Sequence, residues 1–312
     1  MFKIGDVEIK NPIIIAPMAG VSNSAFRSMC YNFNAALVYS EMISDKALLF
    51  KSSKTFEMCQ SNDEEHPLTF QLFGHDIDSM TKAAMYLDKN TKCDIIDINM
   101  GCPDRHVVAT GGGSGLIRTP ELAKEIIRAT KSAGFSTSVK TRLGYTSVDE
   151  WHIWLTNILE EKTEALTVHL RTKKEMSKVK AHYELIPEIA ELRNEISPST
   201  KLIINGDIKS AAEASKYVAL GADGIMIGRG VFANPFCFEK EPREHTREEL
   251  LELMQYHLDL YEKYELAPYD PLKRFFKIYI NNFPGASDIR EQLMHTKTIA
   301  EARAIIEPLI KE

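Results

Sequence analysis

Eight short apolar runs alternate with longer stretches of helical periodicity over the first 230 residues of the chain. The runs occupy residues 13–18, 36–42, 67–74, 93–101, 137–144, 165–170, 201–208 and 224–230. Each run is rich in β-branched residues, whereas intervening stretches such as 120–134 and 210–222 are amphipathic. Buried parallel strands have continuous apolar sequences because helices cover the outside of their sheet. The sequence therefore predicts an α/β fold, a closed (β/α)8 TIM barrel rather than an open doubly wound sheet.

The segments on either side of these repeats differ from them in composition. The N-terminal FKIGDVEIK predicts a hairpin with a Gly-Asp turn that covers the floor of the barrel. After residue 240 the chain is charged and helical, with Pro271 in the first turn of one predicted helix. A chain of 312 residues suits one large domain and one small one. We therefore predict a barrel over residues 1–240 and a small helical domain over 241–312.

Composition and charge exclude several classes of protein. Apolar residues make up 44% of the chain and charged residues 26%, as in ordinary globular proteins. No run of eighteen apolar residues predicts a membrane span, and the N-terminus lacks the pattern of a signal peptide, so we expect a cytoplasmic protein. The formal net charge of -6 argues against nonspecific binding of nucleic acid. An RNA partner would need a local basic patch.

The cysteines argue against metal binding and against a disulfide framework. There are five, Cys30, Cys59, Cys93, Cys102 and Cys237, and none forms a Cys-x-x-Cys pair. An odd number at wide spacing predicts reduced thiols and no metal site.

Polar residues stand where the predicted strands end, and in a (β/α)8 barrel the catalytic groups lie at those ends. Two of these motifs, Asn205-Gly206-Asp207 and Gly228-Arg229-Gly230, follow the seventh and eighth strands. Loops there often bind phosphate through backbone N–H groups, and Arg229 adds a cation. The alternative is that the glycines only turn the chain. Because the motifs follow consecutive strands, we predict a phosphate site.

The residues at the remaining strand ends indicate which kind of molecule carries the phosphate. They carry the segment Ala16-Pro17-Met18, Gln71, Lys140 and His169. A flat heteroaromatic ring with donors and acceptors along one edge would use all of them, and FMN fits, with Lys140 stabilising negative charge on the reduced ring. Two alternatives stay open: Lys140 pairs with Asp97 or Asp207, or His169 is a core imidazole.

A glycine-rich stretch follows the fourth strand. GGGSG, residues 111–115, lacks the spacing of a dinucleotide fingerprint and is not a P-loop. We expect a tight loop that brings the chain close to the ligand before a helix begins at Pro120.

Ordered motifs along the whole chain resemble those of the tRNA-dihydrouridine synthases, flavin enzymes that reduce the 5,6 double bond of uridines in tRNA. The segments are IIIAPMAGVSNSAFR, DINMGCP followed by VVATGGGSGLI, SVKTRLG, LTVHLRT, INGDI, DGIMIGRGVFANPF and LKRFFKIYINNFPGASDIR. The resemblance implies an FMN-binding barrel, a helical domain that grips tRNA, NADPH as reductant and a monomer. The implied flavin site is Ala16, Pro17, Met18, Gln71, Lys140, His169, Asn205, Gly206, Asp207, Gly228 and Arg229.

The resemblance also gives the lone Cys102 a role as proton donor. Reduction of a uracil C5=C6 bond needs a hydride at one carbon and a proton at the other, and a thiol is a suitable general acid. The alternative for a single cysteine is a small buried apolar residue. The family suggests that Asn99 orients the base and that Arg142 holds the base or a nearby phosphate.

The chain departs from the family pattern at two places. Arg105 and His106 stand where the family usually has lysines. After the sixth strand, the family's His-Gly-Arg-Thr reads His169-Leu170-Arg171-Thr172, and SKVKAHY replaces the usual aromatic-Gly-x-Ala-Asp-Trp. We expect the loop RTKKEMSKVK, with Arg171, Lys173, Lys174, Lys178 and Lys180, to contact tRNA phosphates on the same face as Cys102. Further tRNA contacts are expected from Arg105 and from the tail cluster of Lys273, Arg274 and Lys277. The alternative is that the loop is only a solvated charged surface.

Two other functions remain open from the sequence. One is an FMN barrel acting on a small molecule, such as a dihydroorotate dehydrogenase or an ene-reductase. The other is a tRNA-binding protein whose redox site is vestigial.

Overall fold

The protein is described by a computed structural model over residues 1–266, 268–281 and 283–310. The strands are β1 (Phe2–Ile4), β2 (Val7–Ile9), β3 (Ile13–Ile15), β4 (Val38–Ser44), β5 (Leu68–Phe73), β6 (Ile95–Met100), β7 (Thr137–Arg142), β8 (Ala165–His169), β9 (Lys201–Asn205) and β10 (Gly224–Ile227). The helices are α1 (Ser24–Asn32), α2 (Asp45–Leu49), α3 (Ser53–Met58), α4 (Ile77–Asn90), α5 (Arg105–Ala109), α6 (Pro120–Ser132), α7 (Trp151–Leu159), α8 (Ile186–Ile196), α9 (Ala214–Val218), α10 (Gly230–Ala233), α11 (Arg247–Lys263), α12 (Lys273–Tyr279), α13 (Ala286–His295) and α14 (Ile299–Ile310).

Strands β3 to β10 form one parallel sheet in which sequence neighbours pair from β4 to β10 and β10 pairs with β3. The sheet closes between β3 and β4, where Ile15 N–H donates to Leu37 O at 3.1 Å and Ala36 N–H donates to Ile13 O at 2.7 Å. The predicted (β/α)8 barrel is confirmed. Its strands are buried on both faces, as in the fully buried β3 and β6, which explains their continuous apolar sequences.

Seven of the eight predicted runs extend past the observed strands at the carboxyl ends, whereas β4 continues two residues past the run 36–42 to Ser44. The run 201–208 contains β9 only to Asn205, because Gly206 (φ 127°) and Asp207 (φ 53°) leave the extended region. The run 224–230 contains β10 only to Ile227, and Gly230 begins the short helix α10. The residues beyond the strand ends are loop residues around the site described below.

The N-terminal hairpin lies against the floor of the barrel, as predicted. Strands β1 and β2 pair antiparallel around Gly5, which has φ 58°. A Cβ atom on Gly5 would lie 2.7 Å from Ser136 Oγ and 3.2 Å from Glu164 Cγ, just before β7 and β8 begin. The hairpin therefore covers the amino ends of these strands and leaves their carboxyl ends open.

Two predicted helices differ in length. The stretch 120–134 forms α6, which begins at Pro120 and buries Ala123, Ile126 and Ile127. The stretch 210–222 forms a 3-10 turn, Ala211–Glu213, and then the shorter α9. A turn from Val218 to Gly221, with Gly221 at φ 107°, ends α9 before the predicted limit.

The C-terminal helices pack on the barrel beside α1. Helix α11 begins at the Thr246 capping box, and Asn23 Nδ2 donates to Tyr261 Oη at 2.6 Å between α11 and the start of α1. The rings of Phe26 and Phe275 lie 5.5 Å apart. These helices therefore share a buried apolar cluster with α1, which places α12 at the rim of the barrel mouth.

No helix of the described residues is long and apolar enough to cross a membrane. Across the same ranges, no cluster of His, Cys, Asp and Glu side chains could hold a metal ion.

Candidate active site

Two adjoining cavities open at the carboxyl ends of the barrel strands. Cavity A has a volume of 560 Å³ and is lined by the segment 16–18, Lys140, His169, residues 205–209, residues 228–230 and Ala233. Cavity B has a volume of 240 Å³ and is lined by Pro17, Ala19, Met42, Gln71, Asn99, residues 101–103, Lys140, Arg142 and His169. Pro17, Lys140 and His169 belong to both, so a ligand that fills A can extend past them toward Cys102 in B.

The far end of cavity A is built from the loops after β9 and β10. A Cβ atom on Gly206 would lie 3.1 Å from Ala181 Cβ and 3.2 Å from His169 Cδ2, so only glycine lets the loop pack this closely. Among the described residues, no acceptor takes a hydrogen bond from the backbone N–H groups of Gly228, Arg229 and Gly230. Lys209 and Arg229 add two cations to the lining. This end of cavity A is therefore suited to an anion.

Lys140 occupies the wall between the two cavities. Its Nζ lies 3.4 Å from Asn205 Oδ1, and within the described residues no carboxylate pairs with it inside 4.0 Å. Burial, with the nearby Arg142 charge, lowers the pKa of Lys140 to about 8. The structure thus excludes direct pairing with Asp97 or Asp207 and leaves this ammonium group directed at the cavities.

His169 is a neutral imidazole at the same wall. Burial, reinforced by the charges of Arg142, Lys140 and Arg171, holds the pKa of His169 well below its usual value. Arg171 Nη1 lies 3.3 Å from His169 Nε2, and because arginine can only donate, Nε2 must be the acceptor. The proton of His169 is therefore on Nδ1, which makes the ring a hydrogen-bond donor on its other side.

Cys102 follows β6 in a turn that is held by the side chain of Asn99. Asn99 Oδ1 accepts hydrogen bonds from Gly101 N–H at 3.0 Å and Cys102 N–H at 2.8 Å. The thiol is partly exposed in the wall of cavity B. Burial and the Asp104 charge raise the pKa of Cys102 above its ordinary value, against Arg142 and Lys140. At neutral pH the sulfur therefore carries its proton.

A chain of buried side chains fixes the orientation of Asn99. Asn99 Nδ2 donates to Gln71 Oε1 at 2.7 Å, and Gln71 Nε2 donates to Asp97 Oδ2 at 2.7 Å. Ser138 Oγ donates to the other oxygen of Asp97 at 2.6 Å. Gln71 is therefore committed to Asp97 and Asn99 and lines cavity B, not cavity A, where the phosphate end lies.

The glycine-rich stretch supports the Cys102 turn. A Cβ atom on Gly113 (φ 56°) would lie 2.9 Å from Cys102 O, and Ser114 N–H donates to that oxygen at 3.0 Å. Residues Gly113–Arg118 form a 3-10 helix. The second half of the expected loop is thus helical, and the stretch packs against the backbone of Cys102.

Arg142 is largely buried in the wall of cavity B and connects the Cys102 turn to the loop after β8. Its Nε donates to Gly101 O at 2.8 Å, and its Nη1 donates to Thr172 O at 3.1 Å and Met176 O at 3.2 Å. Burial is the main reason that the pKa of Arg142 falls to about 10. The guanidinium group still carries its charge at neutral pH and lies beside the Cys102 turn.

The cationic side chains of the loop after β8 differ in their exposure to solvent. Arg171 is 1% exposed and forms an ion pair with Asp207. The expectation that Arg171 contacts tRNA is therefore wrong, because its guanidinium group is enclosed and holds the loops after β8 and β9 together. Lys173 lies 5.0 Å from the centre of the Tyr145 ring. Lys174, Lys178 and Lys180 are exposed.

The other predicted RNA contacts lie on two helices. Arg105 is exposed in the first turn of α5, two residues after Pro103 of cavity B. In α12, Lys273 is 17% exposed and pairs with Asp270 at 2.9 Å. Arg274 is exposed, with Nη1 3.5 Å from Ala19 O, while Phe275 and Phe276 between the cations are buried.

Sequence reasoning missed several residues of the site. Lys209 lines cavity A, and Met42 and Ala19 line cavity B. Lys209 directly follows the INGDI motif, which was a usable signal. Asp97 and Ser138 stand inside strands, and only the strand register brings their side chains under Gln71.

The fold and the site together define a barrel enzyme whose reaction centre lies at the carboxyl ends of its strands. The barrel is similar to 6-hydroxypseudooxynicotine amine oxidase from Pseudomonas geniculata, with a TM-score of 0.55 and 14% identity over 75% of this chain and 47% of that one. It is also similar to the old yellow enzyme from Trypanosoma cruzi, with a TM-score of 0.54 and 11% identity over 75% of this chain and 88% of that one. At these identities the likeness concerns the fold alone.

The chain belongs to the dihydrouridine synthase family, whose model matches residues 14–312. It is 45% identical to a probable tRNA-dihydrouridine synthase of Staphylococcus aureus, over 96% of this chain and 94% of that protein. It is 44% identical to probable tRNA-dihydrouridine synthase 2 of Bacillus subtilis, again over 96% of this chain and 94% of that protein.

Proposed function

We propose that this protein is an FMN-dependent tRNA-dihydrouridine synthase that reduces the C5=C6 bond of specific uridines in tRNA, with NADPH as the reductant. The observation that carries the proposal is the position of Cys102. Its protonated thiol lines a small cavity whose wall, Lys140 and His169, is shared with a larger anion-binding cavity. Family membership supports the reaction, and the protonated thiol beside the shared wall of the two cavities supports the role that we propose for Cys102.

The residues of cavity A fit FMN. The unused N–H groups of the loop 228–230, with Arg229, suit the phosphate. Asp207 and Asn205 offer acceptors for hydroxyl groups, and Lys140 and His169 offer donors to the edge of a ring that extends toward cavity B. The proposed cofactor site is Ala16, Pro17, Met18, Gln71, Lys140, His169, Asn205, Gly206, Asp207, Gly228 and Arg229, with Gln71 at the cavity B end.

When bound and reduced by NADPH, FMN would supply the hydride that adds to one carbon of the uracil double bond. The chain's own contribution is the second hydrogen. Cys102 Sγ–H transfers its proton to the other carbon, so that the C5=C6 π bond is lost and two C–H bonds form. Because burial raises the pKa of Cys102, the thiol is present as the acid at neutral pH. The thiolate left after transfer recovers its proton from solvent.

The cations around the sulfur support this step. Lys140 and Arg142 both favour the thiolate electrostatically, and their charges therefore ease loss of the proton. Arg142 also holds Gly101 in place through its backbone oxygen. Asn99 fixes the Cys102 turn, and we propose that its amide also faces the uracil base in cavity B.

We propose that tRNA lies across the barrel mouth. Arg105, Lys173, Lys174, Lys178 and Lys180 form a basic rim on the Cys102 side, which gives an acidic protein its local site for phosphates. Helices α11 to α14 would complete the grip, with Lys273 in the first turn of α12. With tRNA as substrate, we expect the protein to act in the cytoplasm and as a monomer.

The proposal is tested by reducing the FMN-loaded protein with NADPH under anaerobic conditions and then adding an electron acceptor. We expect the flavin absorbance to return on addition of unmodified tRNA and to stay bleached with free orotate or an enone. Reoxidation by orotate or an enone alone would favour a small-molecule enzyme. Tight tRNA binding without reoxidation by any acceptor would favour an RNA-binding protein with an inactive redox site.

A further inference from the structure

A third cavity, cavity C, lies between the rim of the barrel and helix α12 and has a volume of 840 Å³. Its lining shares Met18, Arg229 and Ala233 with cavity A and Ala19 with cavity B. A molecule with one end in cavity C can therefore reach the reaction centre past Ala19 without entering the far, anion-binding end of cavity A.

The lining of cavity C combines three cations with an apolar wall. The cations are Arg229, Arg274 and Lys277, and the wall includes Phe232 and Ile278. Within the described part of the chain, no carboxylate lines the cavity. Arg229 also lines cavity A and lies 3.8 Å from Asp207 Oδ1, so the cations of cavity C that neither cavity A nor cavity B shares are Arg274 and Lys277. A concave pocket of this size with apolar walls and a few charged groups suits a small ligand that has a flat ring and phosphates.

We propose that cavity C binds the phosphate-bearing adenosine half of the dinucleotide reductant, while the nicotinamide enters cavity B. This rests on the proposed function, in which the reductant is NADPH. The hydride donor and the uracil must reach the same centre in turn, and FMN takes cavity A. Arginine guanidinium groups are well suited to phosphates, including the 2′-phosphate of NADPH. The exposed lysines of the loop after β8 offer an open surface that suits an RNA backbone better.

The test is an anaerobic titration of the FMN-loaded protein with NADPH, followed by stopped-flow absorbance. The double substitution Arg274→Ala with Lys277→Ala removes two exposed cations of cavity C, and Lys297→Ala is the control on an exposed lysine near the start of α14. We expect the double variant to raise the Kd for NADPH by about tenfold or more and to change the Kd for NADH less. In this assignment Arg274 and Lys277 contact the reductant and not, as the sequence predicts, tRNA. The Kd for tRNA should therefore change less than twofold, and the control should match the wild type.

An unchanged Kd for NADPH in the double variant would overturn this assignment, and so would a loss confined to tRNA binding. If NADPH failed to bleach the wild-type flavin at all, the proposal that NADPH is the reductant would be wrong. The assignment of cavity C to NADPH would then be wrong as well. The comparison of wild type and variant distinguishes these two failures.

A separate observation inside the barrel concerns the direction of the hydrogen bonds that end at Cys102. The carboxylate of Asp97 can only accept, so Gln71 must present its Nε2 group to it. Gln71 Oε1 is then left to accept from Asn99 Nδ2. Asn99 consequently presents Oδ1 to the backbone N–H groups of Gly101 and Cys102. One buried charge thus fixes the orientation of two amides that could otherwise flip.

We infer that Asp97 is a positioning residue for Cys102 and acts through Gln71 and Asn99. Asp97, Gln71 and Ser138 are at most 1% exposed, and Asn99 is 5% exposed, so water cannot substitute for a lost partner. Burial raises the pKa of Asp97 to about 6, and the hydrogen bonds from Ser138 and Gln71 and the charge of Lys140 act against that rise, so Asp97 is a carboxylate at neutral pH.

Asp97→Asn tests the inference because the amide keeps the shape of the side chain and removes the demand for a donor. We expect kcat for tRNA reduction to fall about 10- to 100-fold, with KM for tRNA and the FMN content within twofold of wild type. Ser138→Ala removes a partner of Asp97 without changing the direction of the chain, and its kcat should stay near wild type. If Asp97→Asn does not fold, Gln71→Met breaks the next link and should reproduce the loss of kcat. Because Gln71 also belongs to the proposed cofactor site, that kcat is compared with wild type at equal FMN content.

A folded Asp97→Asn protein with wild-type kcat would overturn the inference. An equal loss of kcat in Ser138→Ala would overturn it too, because that result would indicate general damage to the barrel interior.

Discussion

Asn99 Oδ1 lies 2.8 Å from the backbone nitrogen of Cys102, so the strand that ends at the reaction centre also caps the turn that carries the thiol. The backbone of Cys102 is fixed from the other side by Ser114 N–H. Burial raises the pKa of the sulfur, and the opposing charges of Arg142 and Lys140 do not cancel that rise. The turn thus holds a protonated thiol in place.

The first prediction concerns the chemical reactivity of this thiol. Because the pKa of Cys102 is raised above its ordinary value, iodoacetamide should label it slowly at pH 7 and progressively faster as the pH rises beyond 9. Labelling is measured by peptide mass spectrometry over time, with Cys102→Ala as the blank. Cys93, whose pKa burial raises to about 12, should label later still. A labelling rate that reaches its plateau by pH 8 would show a thiolate and rule out the acid role.

The second prediction concerns Lys140 and the pH dependence of FMN binding. Lys140 is protonated below a pKa of about 8 and loses its charge above it, so affinity for the anionic cofactor should fall as the pH rises from 7 to 9.5. We expect about a 10- to 100-fold increase in Kd, the range of a hydrogen bond to a charged group. Flavin fluorescence quenching measures it. Lys140→Met should bind weakly with a flat profile, and the same flat profile in the wild type would contradict the assignment.

The third prediction concerns the exposed lysines of the loop after β8. Replacing Lys174, Lys178 and Lys180 with glutamate should weaken tRNA binding and reduce the slope of log K against log salt by roughly one unit for each lost phosphate contact. The matched control replaces Lys3, Lys10 and Lys89, which are exposed toward the floor of the barrel. Filter binding over a salt series gives both slopes. Equal slopes for the two triple variants would show that the loop does not touch RNA.

The fourth prediction concerns stability and the buried ion pair of α1. Arg27 Nε lies 2.7 Å from Glu65 Oε2, and both side chains are at most 1% exposed. Glu65→Ala leaves the guanidinium charge buried without its partner, so the free energy of unfolding should fall by about 3–5 kcal/mol. Urea denaturation measures it. Asp78→Ala breaks the exposed pair with Lys82 and should cost less than about 1 kcal/mol. Comparable losses in both variants would contradict this account of the pair.

Sequence patterns predicted the barrel because each strand is buried on both faces and must be apolar along its length. They overran the strand ends because glycine and aspartate at positive φ, as in Gly206 and Asp207, follow the last strand residue without a change in apolar pattern. The polar residues at those ends could be predicted because a strand buried on both faces is otherwise apolar. Polar side chains at its end therefore indicate a functional site.

The errors come from contacts between residues far apart in the chain. In the sequence Arg171 belongs to a basic loop. In the fold its side chain is buried and pairs with Asp207, 36 residues later. The role of Gln71 depends on the register that sets it opposite Asp97 across β5 and β6. No local pattern contains either partner, so charge and spacing alone could not reveal them.

The central claim is that Cys102 protonates a uracil that receives a hydride from reduced flavin. One measurement tests this claim most directly. tRNA lacking dihydrouridine is incubated with NADPH and either wild-type protein or Cys102→Ala, both loaded with FMN, and its nucleosides are then analysed by mass spectrometry. We predict a gain of two hydrogens on specific uridines with wild type and at least about a 100-fold slower gain with Cys102→Ala, at equal flavin content. Equal rates of dihydrouridine formation by the two proteins would contradict the account.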